Sequence, residues 1–204
     1  MIKKYFDAIY CINLDRRPDR WSQAEAEFNK FGILNSIQRF SAIDGNLLSN
    51  QTTLLKGELG VLETHISILN KSIEDNVDSI LILEDDVNFT SEFLNLEQYM
   101  SAVPSDWDFI YFGGNHTYGQ PLQKINDKIV KLNFTVALHC VAIKKRIFKK
   151  LLKILTLREH QVDKYYAYVH KLTNAYGFYP NMATQKQGFS DIQNRNVNYD
   201  VYFK

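Results

Sequence analysis

The sequence predicts an α/β fold with a Rossmann-like, mostly parallel sheet flanked by helices. Three observations predict it. Two unbroken apolar runs, Ala8-Ile9-Tyr10-Cys11-Ile12 and Ile80-Leu81-Ile82-Leu83, read as strands covered on both faces, the parallel kind. A stretch of helical periodicity lies between them, so strand, helix and strand follow in the order of a βαβ unit. The second run stops at Glu84-Asp85-Asp86. Ligands of open α/β sheets sit outside the carboxyl ends of the strands, which puts these carboxylates at a binding crevice.

The chain has 204 residues, the size of a single domain. Hydrophobic residues at 45% and charged residues at 23% place it among globular proteins, and 13% aromatics supply a large core. A net charge of +1 argues against a chain built mainly for nucleic acid. Cys11 and Cys140 both lie in apolar runs and read as small core residues, not as a disulfide or a metal site. No run is long enough to span a membrane, and Met1–Asp7 turns polar before an apolar leader develops. A cytoplasmic location is therefore expected. Triplets such as Asn115-His116-Thr117 would matter only in a secretory compartment.

The elements follow in order. After Ala8–Ile12, Pro18 suits the first turn of a helix and Gly32 its end, with Trp21, Ala24, Phe28 and Phe31 at helical spacing between them. Arg16, Arg17 and Arg20 cluster at that strand-to-helix junction, where they form either a phosphate-binding fork or a solvated basic turn. Ser36–Ile43 alternates like a strand and closes on Asp44-Gly45-Asn46, strong turn chemistry. Residues 47–55 read as loop. Gly57-Glu58-Leu59-Gly60 opens a long helix whose stripe is Leu59, Leu62, Ile66, Leu69 and Ile73. Glu63 and His65 lie off that stripe; His65 either caps a carbonyl, meets a phosphate or is a satisfied histidine.

Beyond the acidic cluster, Ser91 can cap a helix through Met100, and Pro104 ends it. Trp107–Phe112 reads as a buried strand stopped by Gly113-Gly114, and Asn115–Asp127 as a loop fit for a lid or an acceptor edge. Val136–Ile143 reads as a central strand. Lys144–Lys153 is a basic amphipathic helix, either a solvated face or a peripheral contact with an anionic membrane. Val162–Tyr166 starts a helix with Asp163 in its first turn, and Gly177–Pro180 reads as a last short strand.

Three adjacent carboxylates repel one another unless positive charge sits among them. A divalent cation held by oxygen ligands, with phosphates as its further partners, is the natural guest; a solvated acidic loop is the plainer reading. On extended chain Glu84 and Asp86 point to one side and Asp85 to the other, so Asp86 is the expected direct ligand.

With these pieces in order, the chain resembles glycosyltransferase family 25, the lipopolysaccharide-type sugar transferases and the galactosyltransferase domains that modify collagen. The resemblance is carried by Ile12-Asn13-Leu14-Asp15-Arg16-Arg17-Pro18-Asp19-Arg20, by Ala42-Ile43-Asp44-Gly45 and by Gly57-Glu58-Leu59-Gly60 with Thr64-His65, where a Ser-His pair is usual. It continues through Leu83-Glu84-Asp85-Asp86-Val87, Trp107–Gly114 and Val162-Asp163. It implies a GT-A-like nucleotide-sugar transferase fold, with residues 1–114 as the nucleotide-sugar half and 115–204 as the acceptor half of one domain. It further implies a UDP-sugar donor, Mn²⁺ or Mg²⁺, inversion at the anomeric carbon, and a hydroxyl acceptor on a glycan, lipid-linked sugar or protein.

Carried onto this sequence, the resemblance places Asn13, Asp15, Arg16, Arg20, Asp44, Gly57, Glu58 and His65 around the nucleotide. It makes Glu84, Asp85 and Asp86 the metal site and Asp163 the base. A further ligand is expected from the C-terminal region; no His follows His170, so Gln185, Gln187, Asp191 or water takes that place. Two other readings remain. A catalytically silent sugar-nucleotide-binding protein would share every one of these residues. A phosphorelay receiver would also begin with Ile80–Asp86, but it needs an Asp ending a later strand, where Phe109–Phe112 runs into Gly113-Gly114.

Overall fold

The computed structural model describes residues 2–49, 52–116, 121–192 and 195–198. In chain order the elements are β1 (Ala8–Asn13), α1 (Pro18–Lys30), β2 (Gln38–Ser41), α2 (Lys56–Glu74), β3 (Ser79–Glu84), β4 (Val87–Phe89), α3 (Leu96–Ala102), β5 (Phe109–Tyr111), β6 (Gln123–Lys124), β7 (Ile129–Lys131), β8 (Cys140–Lys144), α4 (Lys145–Leu155), α5 (Val162–His170), β9 (Ala175–Phe178), β10 (Ala183–Gln185), β11 (Gly188–Ser190) and β12 (Arg195–Val197). Eight strands form one sheet in the order β2-β1-β3-β8-β5-β9-β7-β6. β1, β2 and β3 are mutually parallel, as are β5 and β9, while β7 and β8 run against the others. The expected sheet is thus present, with an antiparallel strand inserted directly beside β3. Two smaller pairs, β4–β10 and β11–β12, stand apart from it.

The central strands divide their side chains between two cores, which explains their unbroken apolar runs. Ile80 and Ile82 face a core shared with α2, α4 and α5, while Leu81 and Leu83 face one shared with α1 and α3. Tyr10 and Ile12 join the first core and Ile9 and Cys11 the second. Both cysteines are buried and free, as core residues should be. α1 starts at Pro18 and is followed by Gly32 at φ +66°, the left-handed stop that glycine permits.

Several boundaries differ from expectation for identifiable reasons. β2 is an edge strand with three of its four residues exposed, so the alternation of Ser36–Ile43 marks a half-solvated face. The helix expected from Ser91 begins as a tight 3₁₀ turn, Ser91–Asn95, and its cap is Thr90, whose hydroxyl accepts the Glu92 N–H at 3.3 Å. The strand expected over Val136–Ile143 starts only at Cys140, because Ala137 turns the chain at φ +79°. Within the loop expected over Asn115–Asp127, β6 forms at the sheet edge; residues 117–120, and with them Thr117, lie outside the described residues.

α4 turns Ile147, Phe148, Leu151 and Leu155 into the core, leaving Lys149, Lys150 and Lys153 outside. Its apolar face is spent inward, so it lacks the free apolar face of an interfacial helix. Among the described residues, no helix is long and apolar enough to cross a membrane.

The contacts of α5 with α2 and β5 bury polar groups. His65 is fully buried, and its Nδ1 lies 2.9 Å from the Tyr166 hydroxyl; His170 Nε2 lies 3.0 Å from the Tyr111 hydroxyl. Burial disfavours the charged imidazoles, pulling His65 down to about 4 and His170 to about 3. Between pH 6.5 and about 4 the unfolded chain therefore binds protons that the folded chain refuses, and stability falls as the pH is lowered. His65→Gln, which keeps a partner for Tyr166, should flatten the dependence of unfolding free energy on pH between pH 6.5 and about 4 in denaturant titrations. An unchanged slope would mean that His65 is protonated in the folded chain.

Candidate functional site

The carboxyl ends of β1, β2 and β3 open into a cavity of about 910 Å³. Its walls come from the β1–α1 turn, the 42–46 turn, the first turn of α2, the acidic strand end and the segment 185–192. The backbone sets its shape. Asp44 accepts the Asn46 N–H at 2.9 Å and starts a one-turn 3₁₀ helix, Gly45–Leu47. That turn lies directly on α2: a Cβ on Gly60 would stand 2.6 Å from the Ile43 carbonyl oxygen and 2.7 Å from the Gly45 nitrogen. Glycine here allows two backbones to touch.

The acidic stretch leaves extended geometry at Glu84, where β3 ends, so strict alternation does not carry on to Asp86. Asp85 and Asp86 sit in a turn and share one guanidinium. Arg20 pairs with Asp85 and, at 3.0 Å, with Asp86 Oδ2. Asp85 Oδ2 also accepts from Asn13 Nδ2 at 2.7 Å, and Asn13 Oδ1 accepts from Arg39 at 2.7 and 2.9 Å. Both Asp85 oxygens are thus engaged inside the protein. Burial pushes the Asp85 carboxyl up to about 6, against the pull of Arg20 and Asn13. Glu84 is held well above the usual carboxylate range by burial, then by Asp86, Asp163 and Asp85; its Oε2 accepts from Gln185 at 3.2 Å.

Among the described residues, no group of three or more His, Cys, Asp or Glu is disposed to hold a metal ion. One observation nevertheless suits a hard cation. Asp86 Oδ1 is a buried acceptor with no hydrogen-bond partner, and Asp86 lines the cavity. The nearby donors are oxygens: the carboxylate of Glu84 and the amides of Gln185 and Gln187, all lining the cavity. Asp85, expected as a third ligand, serves Asn13 and Arg20 instead.

Of the other expected nucleotide-site residues, Asn13, Arg16, Arg20, Asp44 and Gly57 line the cavity. Asp15 does not: it faces outward, accepting from Arg39 at 2.7 Å and Ser41 at 2.6 Å. His65 lies in the core under α5, because α2 is covered on more than its apolar stripe. Glu58 accepts the Leu55 N–H at 3.0 Å at the start of α2 and lines a second cavity.

That second cavity holds about 620 Å³ and includes Asp163, Ala137, Gln161 and Asn115. Asp163, in the first turn of α5, is half-buried; its Oδ2 accepts the Ala137 N–H at 2.9 Å. Burial raises its pKa, opposed by backbone N–H groups including that of Ala137. The two cavities share a wall in which Glu84 and Gln185 meet Ser190 and Ile192. The sequence alone points neither to Ala137 nor to Ser190 and Ile192 on this wall. Neither carries a local signal, since both act through contacts distant in sequence.

A family model described as glycosyltransferase family 25 (LPS biosynthesis protein) matches residues 6–201. The chain belongs to glycosyltransferase family 25. A Bos taurus relative described as a probable inactive glycosyltransferase 25 family member 3 is 31% identical over 134 residues, 54% of this family 25 chain and 22% of that protein. Procollagen galactosyltransferase 1 of Danio rerio is 31% identical over 134 residues, with the same coverage of 54% and 22%. The chain spans about a fifth of the length of these relatives. A solved glycosyltransferase involved in the glycosylation of the major capsid of PBCV-1 superposes with a TM-score of 0.50 at 10% identity, over 84% of this chain and 92% of that one. At that identity the likeness shows the fold alone, and the fold is GT-A-like.

The contact between the Asp44 turn and α2 yields a test with an unusual sign. Alanine in a helix interior normally gains about 1 kcal/mol over glycine. In Gly60→Ala the new methyl meets two backbone groups, and an overpacking cost of about 1–3 kcal/mol should outweigh that gain, for a net loss of up to about 2 kcal/mol. The thermal midpoint should drop by several degrees. A midpoint equal to or above the parent's would show that the turn is not seated on α2.

Proposed function

We propose that this family 25 chain is a metal-dependent inverting glycosyltransferase. It would move a hexose, galactose or glucose, from a UDP-sugar to a hydroxyl of a glycan, lipid-linked sugar or protein acceptor. The observation that carries this reading is the meeting of two cavities at Glu84, beyond the carboxyl end of β3. A transferase needs two substrates in contact with one reacting centre, and the shared wall is where they would touch. Residues 1–114 supply most of the donor cavity and residues after 114 most of the acceptor cavity.

The donor's nucleotide would occupy the larger cavity, with Asn13, Arg16, Asp44 and Gly57 along its walls. Asp86, through its unpartnered Oδ1, would be the direct ligand of Mn²⁺ or Mg²⁺, with Glu84 assisting and Gln187 or water completing the set. The ion, when bound, neutralises charge that develops on the departing diphosphate. Asp163 would act as the base from the acceptor cavity. Ala137 N–H fixes one carboxylate oxygen, leaving Oδ1 to accept the hydroxyl proton. The hydroxyl oxygen attacks the anomeric carbon as the bond to UDP breaks, its proton passes to Asp163, and the configuration inverts in one displacement. Burial, which lifts the Asp163 carboxyl, makes it a stronger base than an exposed aspartate.

One observation favours a second reading. A relative matching half of the chain is described as probably inactive. A silent nucleotide-sugar binder would use the same donor cavity without turnover.

Two variants separate the roles. With Mn²⁺ and a panel of UDP-sugars, the parent should release UDP from one of them. Asp163→Asn should bind UDP like the parent and lose about 10²–10⁴-fold in transfer. Asp86→Asn should lose UDP affinity when Mn²⁺ is present and much less when it is chelated. Equal losses in both conditions would remove Asp86 as a ligand. UDP binding with no release from any UDP-sugar would favour the silent reading.

A further inference from the structure

We propose that Arg16, Arg17 and Arg20 form the seat of the donor's diphosphate, and that Asp191 occupies this seat as an internal competitor that the diphosphate must displace. The identity of the ligand rests on the nucleotide-sugar reading above; the competition rests on the following geometry. Arg16 Nη1 donates to Asp191 Oδ1 at 2.7 Å, Arg17 Nη1 donates to Oδ2, and Arg20 Nη1 lies 3.7 Å from Oδ2. Three guanidiniums from one turn thus converge on a single carboxylate that is only 13% exposed. All four residues line the larger cavity.

The guanidinium fork recognises carboxylate and phosphate by the same geometry. The turn also leads into α1, whose 13 residues place a helix N-terminus and its positive dipole end beside the arginines. A carboxylate brings two acceptor oxygens and one negative charge to these forks, whereas a nucleotide-sugar diphosphate brings more acceptor oxygens and about two negative charges.

The arginines do not depend on Asp191 for their positions. Arg16 keeps Asp44 at 2.7 Å, Arg17 keeps Asp19 at 2.8 Å, and Arg20 keeps Asp85 and Asp86. Each fork stays aimed when the carboxylate leaves. Asp191, by contrast, belongs to a late segment that reaches the turn from 175 residues away and lies against α2, where a Cβ on Gly57 would stand 2.7 Å from Ile192 Cα. Its neighbours Ser190 and Ile192 form part of the wall between the two cavities. Displacing Asp191 would loosen that wall, so donor entry would also open the way to the acceptor side.

The test uses inorganic pyrophosphate as the probe, with metal chelated, titrated calorimetrically into the full chain. Asp191→Asn removes the competitor and should bind pyrophosphate about tenfold tighter than the parent, the gain expected if the seat is open about a tenth of the time. Asp19→Asn removes the same charge from an outer partner of Arg17 and should gain far less. Arg17→Gln, placed in both backgrounds, should weaken binding by roughly ten- to a hundredfold. Unchanged or weaker binding by Asp191→Asn, or an equal gain in Asp19→Asn, overturns the proposal. A titration with UDP in the presence of Mn²⁺ separates the two layers. Tighter pyrophosphate binding by Asp191→Asn without UDP binding would keep the displacement and remove the nucleotide reading. UDP binding indifferent to Asp191→Asn would keep the nucleotide reading and remove the displacement.

Discussion

The guanidinium of Arg20, set between Asp85, Asp86 and Asp191, is the interaction on which the rest of the site depends. A parallel strand buried on both faces must release its charged residues at its carboxyl end, and here it releases three carboxylates in succession. Close together and poorly solvated, they cannot all ionise without a cation among them. Arg20 is that cation; its side chain is only 17% exposed, and it comes from the first turn of α1, just after β1. Breaking a buried pair of this kind leaves uncompensated charge and costs about 3–5 kcal/mol.

From this point the geometry spreads outward. Asn13, at the end of β1, ties Asp85 to Arg39 on β2, so three strand ends are stapled by side chains as well as by the sheet. The Asp44 turn presses onto α2 through Gly60 and closes the far side of the cavity. Gln185, the last residue of β10, and Lys186 after it return the late segment to the acidic turn: Gln185 meets Glu84, and Lys186 N–H donates to the Asp86 carbonyl at 2.7 Å. The donor cavity is therefore assembled from the beginning, middle and end of the chain. Its wall toward Asp163 is made partly by a segment held through ion pairs, which exchange with an incoming anion more readily than packed apolar contacts do.

What the sequence made legible was what local patterns encode. β1 and β3 were readable because both faces are buried, α1 because Pro18 and Gly32 bracket it, and the acidic strand end because its charges follow so directly on the apolar run. What it hid depends on partners distant in sequence. Alternation placed Asp85 and Asp86 on opposite sides, but the strand ends at Glu84 and both reach the same arginine. A single apolar stripe on α2 left His65 outside, whereas α5 covers that side and supplies Tyr166. Asp15 shares a motif with Arg16, yet the turn points it out toward Arg39 and Ser41. Asp191 was a candidate metal ligand by its place in the tail, but its carboxylate meets Arg16, Arg17 and Arg20 from the other end of the chain.

The central claim, that Arg20 holds the acidic end of β3 together, is tested most directly by the stability of Arg20→Gln relative to the parent, measured by denaturant unfolding with metal chelated at pH 7 and pH 5. The variant should lose about 3–5 kcal/mol at pH 7, and less at pH 5, below the value of about 6 to which burial pushes the Asp85 carboxyl, where its protonation relieves the repulsion that Arg20 otherwise offsets. A loss below about 1 kcal/mol, the range of an ordinary surface ion pair, or a loss that does not change between the two pH values, would contradict it.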